Sequence, residues 1–241
     1  LALVEDEVLA VRVVRLALEV DWFLGARLVG EVKEMFQEAA FAEVDGLELP
    51  GLVKVKLAGL TMSEVTVPRL VQFLEHSDED VRGNAAKALG EIGSKKAIEQ
   101  LIPLLKDSSP FARRNAAKAL GKIGSEKAIE GLIPLLKDPF CGSYAAEALG
   151  KIGSENTIIK LTKKLQNDSF VKQGLSEIIT AIQTIQQRLQ YYKPTPKIPM
   201  SKPLSHNYAL LIGVGDCKYP DWSLPVTVKD IQAIKSFLTN P

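Results

Sequence analysis

Apolar residues in the middle of this chain fall at steps of three and four, the spacing of one face of an α-helix. Val81, Ala85, Leu89 and Ile92 make such a face; Gly93 and Ser94 follow, and then a second face of Ile98, Leu101 and Leu105. The arrangement returns with Ala112, Ala116, Leu120, Ile123, Gly124, Ser125, Ile129, Leu132 and Leu136. It returns again with Ala145, Ala146, Leu149, Ile152, Gly153, Ser154, Ile158, Leu161 and Leu165. Asn84–Ser94 is nearly repeated as Asn115–Ser125 and more loosely as Tyr144–Ser154, steps of 31 and 29 residues. Self-similarity at that period predicts helical hairpins stacked along an axis, with an extended surface.

Each unit reads as helix A, a glycine stop and helix B. Gly93 can take the left-handed conformation that ends a helix, and Ser94 can cap the next one. The pairs Ala85-Ala86, Ala116-Ala117 and Ala145-Ala146 imply close helix approach, where larger side chains would cost about 1–3 kcal/mol. Pro103 and Pro134 lie within helix B and should bend it, since each removes a backbone donor. Val67, Leu70 and Leu74 fit an earlier helix B, preceded by a looser helix A over 51–60. Residues 170–182 read as a degenerate closing helix. About four units exceed the three that independent stability requires.

The flanks differ. Residues 1–50 predict two or three amphipathic helices, ending at the Gly-Leu-Glu-Leu-Pro-Gly break of 46–51. Val13, Leu16, Val20 and Phe23 are expected to form a stripe packed on the repeats; Trp22 and Phe23 are read as packing rather than ligand contacts. Residues 188–206 hold Pro194, Pro196, Pro199 and Pro203 among Lys, Ser and Thr, a semi-rigid linker. The PxxP spacing of Pro196 and Pro199 is better read as spacer than as recognition motif. Residues 207–241 change period: Tyr208–Val214 is a continuous apolar run of strand length. After a polar loop, Thr227 with Asp230 resembles a capping box opening a helix with Ile231, Ile234 and Leu238 on one face. The fold class expected is therefore an all-α, right-handed α-solenoid over 51–187, with a helical region over 1–50 packed on it. A Pro-rich linker and an incomplete α/β segment follow.

Asp78-x-x-Val81-Arg82 followed by Ala85-Ala86-x-Ala88-Leu89-Gly90-x-Ile92-Gly93 resembles the HEAT repeat, in the short form also seen in phycobilin lyase-related proteins. The resemblance covers about 130 residues and speaks to fold far more than to function. It implies that the arginine at Arg82 pairs with an acidic side chain of an adjacent unit; Arg113 keeps that residue and Gly142 does not. Ala209-Leu-Leu-Ile-Gly213, Tyr219-Pro220, Leu224-Pro225, Asp230 and Ala233 resemble the opening strand, loop and helix of caspase-like peptidase domains of bacterial homologues. In that family the catalytic His and Cys lie downstream, beyond Pro241. Leu16–Arg27 resembles the helical region preceding HEAT repeats in cyanobacterial proteins that carry a NACHT-type ATPase, although the chain has no Walker motif. Both termini read as cut, so the chain is expected to be a fragment.

Composition narrows the functions. Of 241 residues, 46% are apolar and 24% charged, and the net charge of +1 gives no reason to expect nucleic acid as partner. The helical run of residues 1–20 is interrupted by six charged residues and cannot span a bilayer. Cys141 and Cys217 are too far apart for a disulfide framework or a metal spacing, which fits a reducing, cytoplasmic setting. Cys217 follows the strand too early for a caspase-type nucleophile and is read as a loop thiol; Cys141 is read as packing. Gly213-Val-Gly215 has Lys218 where a dinucleotide loop needs its third glycine. No His-Glu pairs are present for a di-iron site, and no catalytic, cofactor or metal residue is expected.

Arg82, Lys87, Arg113, Arg114, Lys118, Lys122 and Lys151 run along successive A helices, broken by Glu91 and Glu147. A solvated face outweighs an acidic-partner site. If a partner binds there, Arg82, Arg113, Arg114, Lys118 and Lys122 are its candidate contacts. The function expected is a protein-interaction scaffold tethered to a caspase-like cysteine peptidase domain. The alternative, by resemblance, is a lyase-type accessory protein in bilin attachment.

Overall fold

The structure, a computed structural model, describes residues 1–165 and 174–189. Among the described residues the chain forms twelve α-helices, short 3₁₀ turns and no strand. Residues Leu1–Ile185 make one compact unit. The first begins with α1 (Glu7–Val20), α2 (Trp22–Glu31) and α3 (Gln37–Asp45). Four A–B hairpins follow: α4 (Gly51–Leu60) with α5 (Val67–Phe73), α6 (Glu79–Ile92) with α7 (Ile98–Leu101), α8 (Pro110–Ile123) with α9 (Ile129–Leu135), and α10 (Gly142–Ile152) with α11 (Glu155–Leu165). Helix α12 (Leu175–Arg188) comes next.

Equivalent positions are buried in consecutive layers. Leu89, Leu120 and Leu149 are each fully enclosed, as are Leu70, Leu101, Leu132 and Leu161 on the B helices. All six alanines of the pairs are buried as well. What brings A helices so close is a glycine facing an alanine of the next layer. A Cβ on Gly59 would stand 2.8 Å from Ala88 Cβ, on Gly90 2.6 Å from Ala119 Cβ, and on Gly121 2.9 Å from Ala148 Cβ. At Gly150 the facing residue becomes Thr184 of α12, whose Cγ2 would be 2.5 Å away.

The stops follow the local chemistry. Gly93 and Gly124 end α6 and α8 in the left-handed region, at φ 78° and 82°. Ser94 then accepts from the Lys96 N–H and starts the following 3₁₀ turn. The third unit differs: Gly153 is extended, and glycine is needed there because a Cβ would meet Ile185 Cδ1 at 2.5 Å. Pro103 splits the second B helix, leaving α7 one turn long before the 3₁₀ segment Pro103–Lys106. Pro134 sits inside α9, which ends one residue later.

The amino-terminal stripe expected from the sequence is not the buried one. Leu16, Val20 and Phe23 are exposed, while α1 buries Ala10, Val14 and Leu18 at steps of four. The helix stops at Asp21, which is extended, accepts from the Phe23 and Leu24 N–H groups and opens α2. The apparent stripe thus crosses two helices of different direction. Trp22 is 45% and Phe23 51% exposed, so each packs through only about half of its surface. The inward face of α2 is instead Gly25, Ala26 and Val29, with Gly25 admitting Leu18.

The closing helix is seen over Leu175–Arg188; its expected first residues, 170–173, lie outside the described residues. So do most of the expected linker and the whole strand–loop–helix of 207–241, including Cys217.

Candidate interaction surface

Polar groups on the A-helix side are of two kinds, and the difference decides which can meet a partner. The first kind is consumed internally. Arg82 Nε and Nη2 donate to Asp107 Oδ2 and Oδ1, both at 2.8 Å, while Nη1 donates to the His76 and Ser77 carbonyls. Thirty-one residues on, Arg113 Nε donates to Asp138 Oδ2 at 2.9 Å and Nη1 to the Asp107 and Ser108 carbonyls. Each arginine therefore joins the turn before its own helix to the aspartate that opens the next unit. The side chains of both pairs are only 11–16% exposed.

The aspartates do double duty. Asp107 accepts from the Ser109 N–H, and Asp138 from the Phe140 and Cys141 N–H groups. The Arg82 hydrogen bond holds the Asp107 carboxyl below its ordinary range despite partial burial, helped by the Ser109 N–H. Burial pushes Asp138 up, but the Phe140 N–H, Arg113 and the Cys141 N–H outweigh it and keep this carboxyl low as well. Gly142 stands where a third arginine would be, and no third rung exists among the described residues.

The second kind lies on the outer face of α8. Arg114, Lys118 and Lys122 are spaced four apart and so share that face. The Arg114 guanidinium lies 5.3 Å from the Phe111 ring centroid and 5.6 Å from that of Tyr144; Lys118 Nζ is 4.4 Å from the Tyr144 centroid. Arg114 Nε is buried without a hydrogen-bond acceptor. Lys118 and Lys122 are exposed. Phe140, one turn before Tyr144, is 68% exposed.

Neighbouring layers explain these aromatic positions. Phe111 lies over Gly83 of α6, where a Cβ would come within 2.2 Å of its ring. The counterpart of Gly83 in the next layer is Arg114, so no such slot awaits the counterpart of Phe111, which is Phe140. The Asp138–Gly142 turn is also two residues shorter than Asp107–Arg113, so α10 begins only at Gly142 and Phe140 remains in the turn.

Of the five candidate contacts, the structure thus commits Arg82 and Arg113 to the inter-unit ladder and gathers Arg114, Lys118 and Lys122 on one helix face. The sequence reading did not single out Phe111, Phe140 or Tyr144; the recurrent Pro-Phe of 110–111 and 139–140 was the available signal. On the B side, Glu64–Lys96, Glu99–Lys127 and Glu130–Lys160 form exposed rungs between successive layers. Among the described residues no His, Cys, Asp and Glu cluster could hold a metal ion, and no helix is long and apolar enough to cross a membrane.

Residues 67–141 match the family model for HEAT repeats. HEAT repeats generally mediate protein–protein interaction. One similar solved structure is an engineered protein determined as a structural-genomics target, 21% identical, with a TM-score of 0.40 over 78% of this chain and 94% of that one. No curated protein matches the chain.

Proposed function

We propose that the chain is a protein-interaction scaffold whose HEAT units hold a partner on the A-helix side. The observation that carries this reading is the α8 face, where three like charges share one side of a helix that has no acidic residue, and none of them has an ion pair among the described residues. A surface of that kind is unfavourable in isolation and is relieved by a partner of opposite charge. Arg82 and Arg113 contribute by fixing the spacing of layers, and Arg114, Lys118 and Lys122 by touching the partner.

The finer reading adds a tether. The resemblance of residues 207–241 to the opening of a caspase-like domain, after a Pro-rich stretch, supports a scaffold that raises the effective concentration of a peptidase near whatever the repeats hold. Peptide-bond cleavage would belong to the parent protein and to residues beyond those of the resemblance. Reading the gene past Pro241 tests it: a His and, later, a Cys after an apolar strand are expected, and their absence removes the peptidase.

The scaffold itself is tested by photo-crosslinking in the native host. A crosslinker at Lys118 should capture a defined protein, and one at Lys127 on the B side should not. Equal capture at both positions, or none at Lys118, would refute this assignment of the surface.

A further inference from the structure

The chemistry of the partner can be read from how charge changes between layers, an inference that rests on the repeats being a protein-binding surface. Counterparts of Arg114, Lys118 and Lys122 are Gly83, Lys87 and Glu91 on α6, and Ser143, Glu147 and Lys151 on α10. On α6 the Lys87–Glu91 pair closes at 3.9 Å and on α10 the Lys151–Glu147 pair at 2.6 Å, both one helical turn apart. Each of those faces is neutral. The middle face carries three positive charges, and α8 has no acidic residue anywhere along it. The positive patch is therefore one layer wide and bounded by carboxylates on both sides.

Its donors are also poised. The Arg114 guanidinium lies against the Phe111 and Tyr144 rings, contacts that do not consume N–H groups, and with Nε buried the terminal Nη groups are the ones left for a carboxylate. Lys118 is held over Tyr144 in the same way. Along α8 the three cations are about 6 Å apart, one helical turn each. Phe140 supplies an exposed ring in the turn that precedes α10.

We propose that the Arg114–Lys118–Lys122 face binds a short acidic segment of a partner protein. The segment presents carboxylates about one helical turn apart, and an apolar side chain of it rests on Phe140. A long polyanion such as nucleic acid fits poorly, because it would have to run on past Glu91 or Glu147.

The test uses the full 241-residue chain and fluorescence anisotropy. The probes are a labelled helical peptide with Glu at three positions four apart and one Leu, its Gln counterpart, a phosphoserine counterpart and a single-stranded oligonucleotide. The Glu peptide should bind, with affinity falling as salt rises from about 0.05 to 0.3 M. The Gln peptide should bind at least about eightfold more weakly, since each of three exposed ion pairs is worth about two- to fivefold. Lys118→Gln with Lys122→Gln should weaken the Glu peptide about four- to twenty-fivefold by the same measure, with the helical circular-dichroism signal retained because both side chains are exposed. Glu91→Gln with Glu147→Gln should strengthen it. Equal binding of the Gln peptide, tighter binding of the phosphopeptide or the oligonucleotide, no effect of the lysine changes, or no binding at all would each overturn the proposal. Crosslinking at Lys118 reports separately: a protein captured there while the Glu peptide fails would leave the scaffold standing and remove only this chemistry.

Discussion

Two sites show how a residue can be charged or reactive in type and structural in fact. Arg82 and Asp107 face each other through two hydrogen bonds in a site that is mostly shielded from water, so removing one charge strands the other. Asp107→Asn should lower stability by about 1.5–3 kcal/mol, the cost of weakening a charged hydrogen bond to a half-buried partner. Because the native carboxyl titrates below its unfolded value of about 3.9, the contribution is complete above that pH and is lost as pH falls through the depressed native value. Urea unfolding of both proteins at pH 7 and at successively lower pH should show the gap closing below about pH 4; a gap independent of pH would exclude the ion pair as its source. Cys141 is the second case. Its thiol is fully buried, donates to the Pro110 carbonyl at 3.3 Å and is pushed up by burial first, with Asp138 adding to it. In a Cys217→Ser background, Cys141 should react with a maleimide only as fast as the protein opens. Rapid labelling of the folded chain would contradict this. Both roles were legible in part. The arginine tie was implied by the repeat's resemblance, and Cys141 by its place at the start of a repeat helix; the ring contacts of Arg114 were not, because one of its two rings, Tyr144, comes from the next layer.

Among elements, the helix–helix seam is set by what one residue lacks. Gly90 is within a helix, where alanine is ordinarily better by about 1 kcal/mol. Here the added Cβ would stand 2.5 Å from Ala119 Cα, too close for any rotamer to relieve. Gly90→Ala should therefore destabilise by about 1–3 kcal/mol through overpacking, against its helix propensity. Gly93→Ala meets nothing within 4 Å but holds φ at 78°, so its cost of about 1–2 kcal/mol is backbone strain alone. Adding Ala119→Gly to each variant separates the mechanisms in thermal unfolding. It removes the 2.6 Å contact with Ala119 Cβ but keeps the 2.5 Å contact with its Cα, so it should recover part of the Gly90→Ala loss and none of the Gly93→Ala loss; equal recovery for both, or none for Gly90→Ala, would refute the seam. The period of 31 and 29 residues, the alanine pairs and the glycine stops were all readable, since each is a local pattern that recurs. The amino-terminal helices were not. Nothing repeats there to calibrate the phase, and a single aspartate, Asp21, both ends one helix and caps the next. Continuing the apolar stripe across it chose the wrong face of α1.

At the scale of the whole stack, stability should be shared unevenly, because each layer touches only its neighbours. Helices α6 and α8 are covered on both sides, and their leucines at 89 and 120 are sealed. Helices α1 and α2 lie at one end of the described order and leave Val8, Leu9, Leu16, Val20, Trp22, Phe23 and Leu24 between 45% and 83% exposed. Their inner contacts are correspondingly few, and the Arg15–Glu43 ion pair that joins α1 to α3 is mostly exposed on the arginine side and so contributes little. Local opening at that end costs one interface, whereas exposing α8 breaks two. Native-state hydrogen exchange should then show α8 and α6 amides exchanging only through global unfolding, and those of α1 and α2 through a cheaper opening insensitive to low denaturant. Leu120→Ala, which leaves a cavity between two layers, should cost about 2–5 kcal/mol and lower protection along both α6 and α10. Uniform protection from α1 to α10 would mean that the helices fold as one cooperative body, and a Leu120→Ala effect confined to α8 would mean that adjacent layers are not coupled; in either case neighbour-by-neighbour stacking is the wrong account of what holds the α8 face.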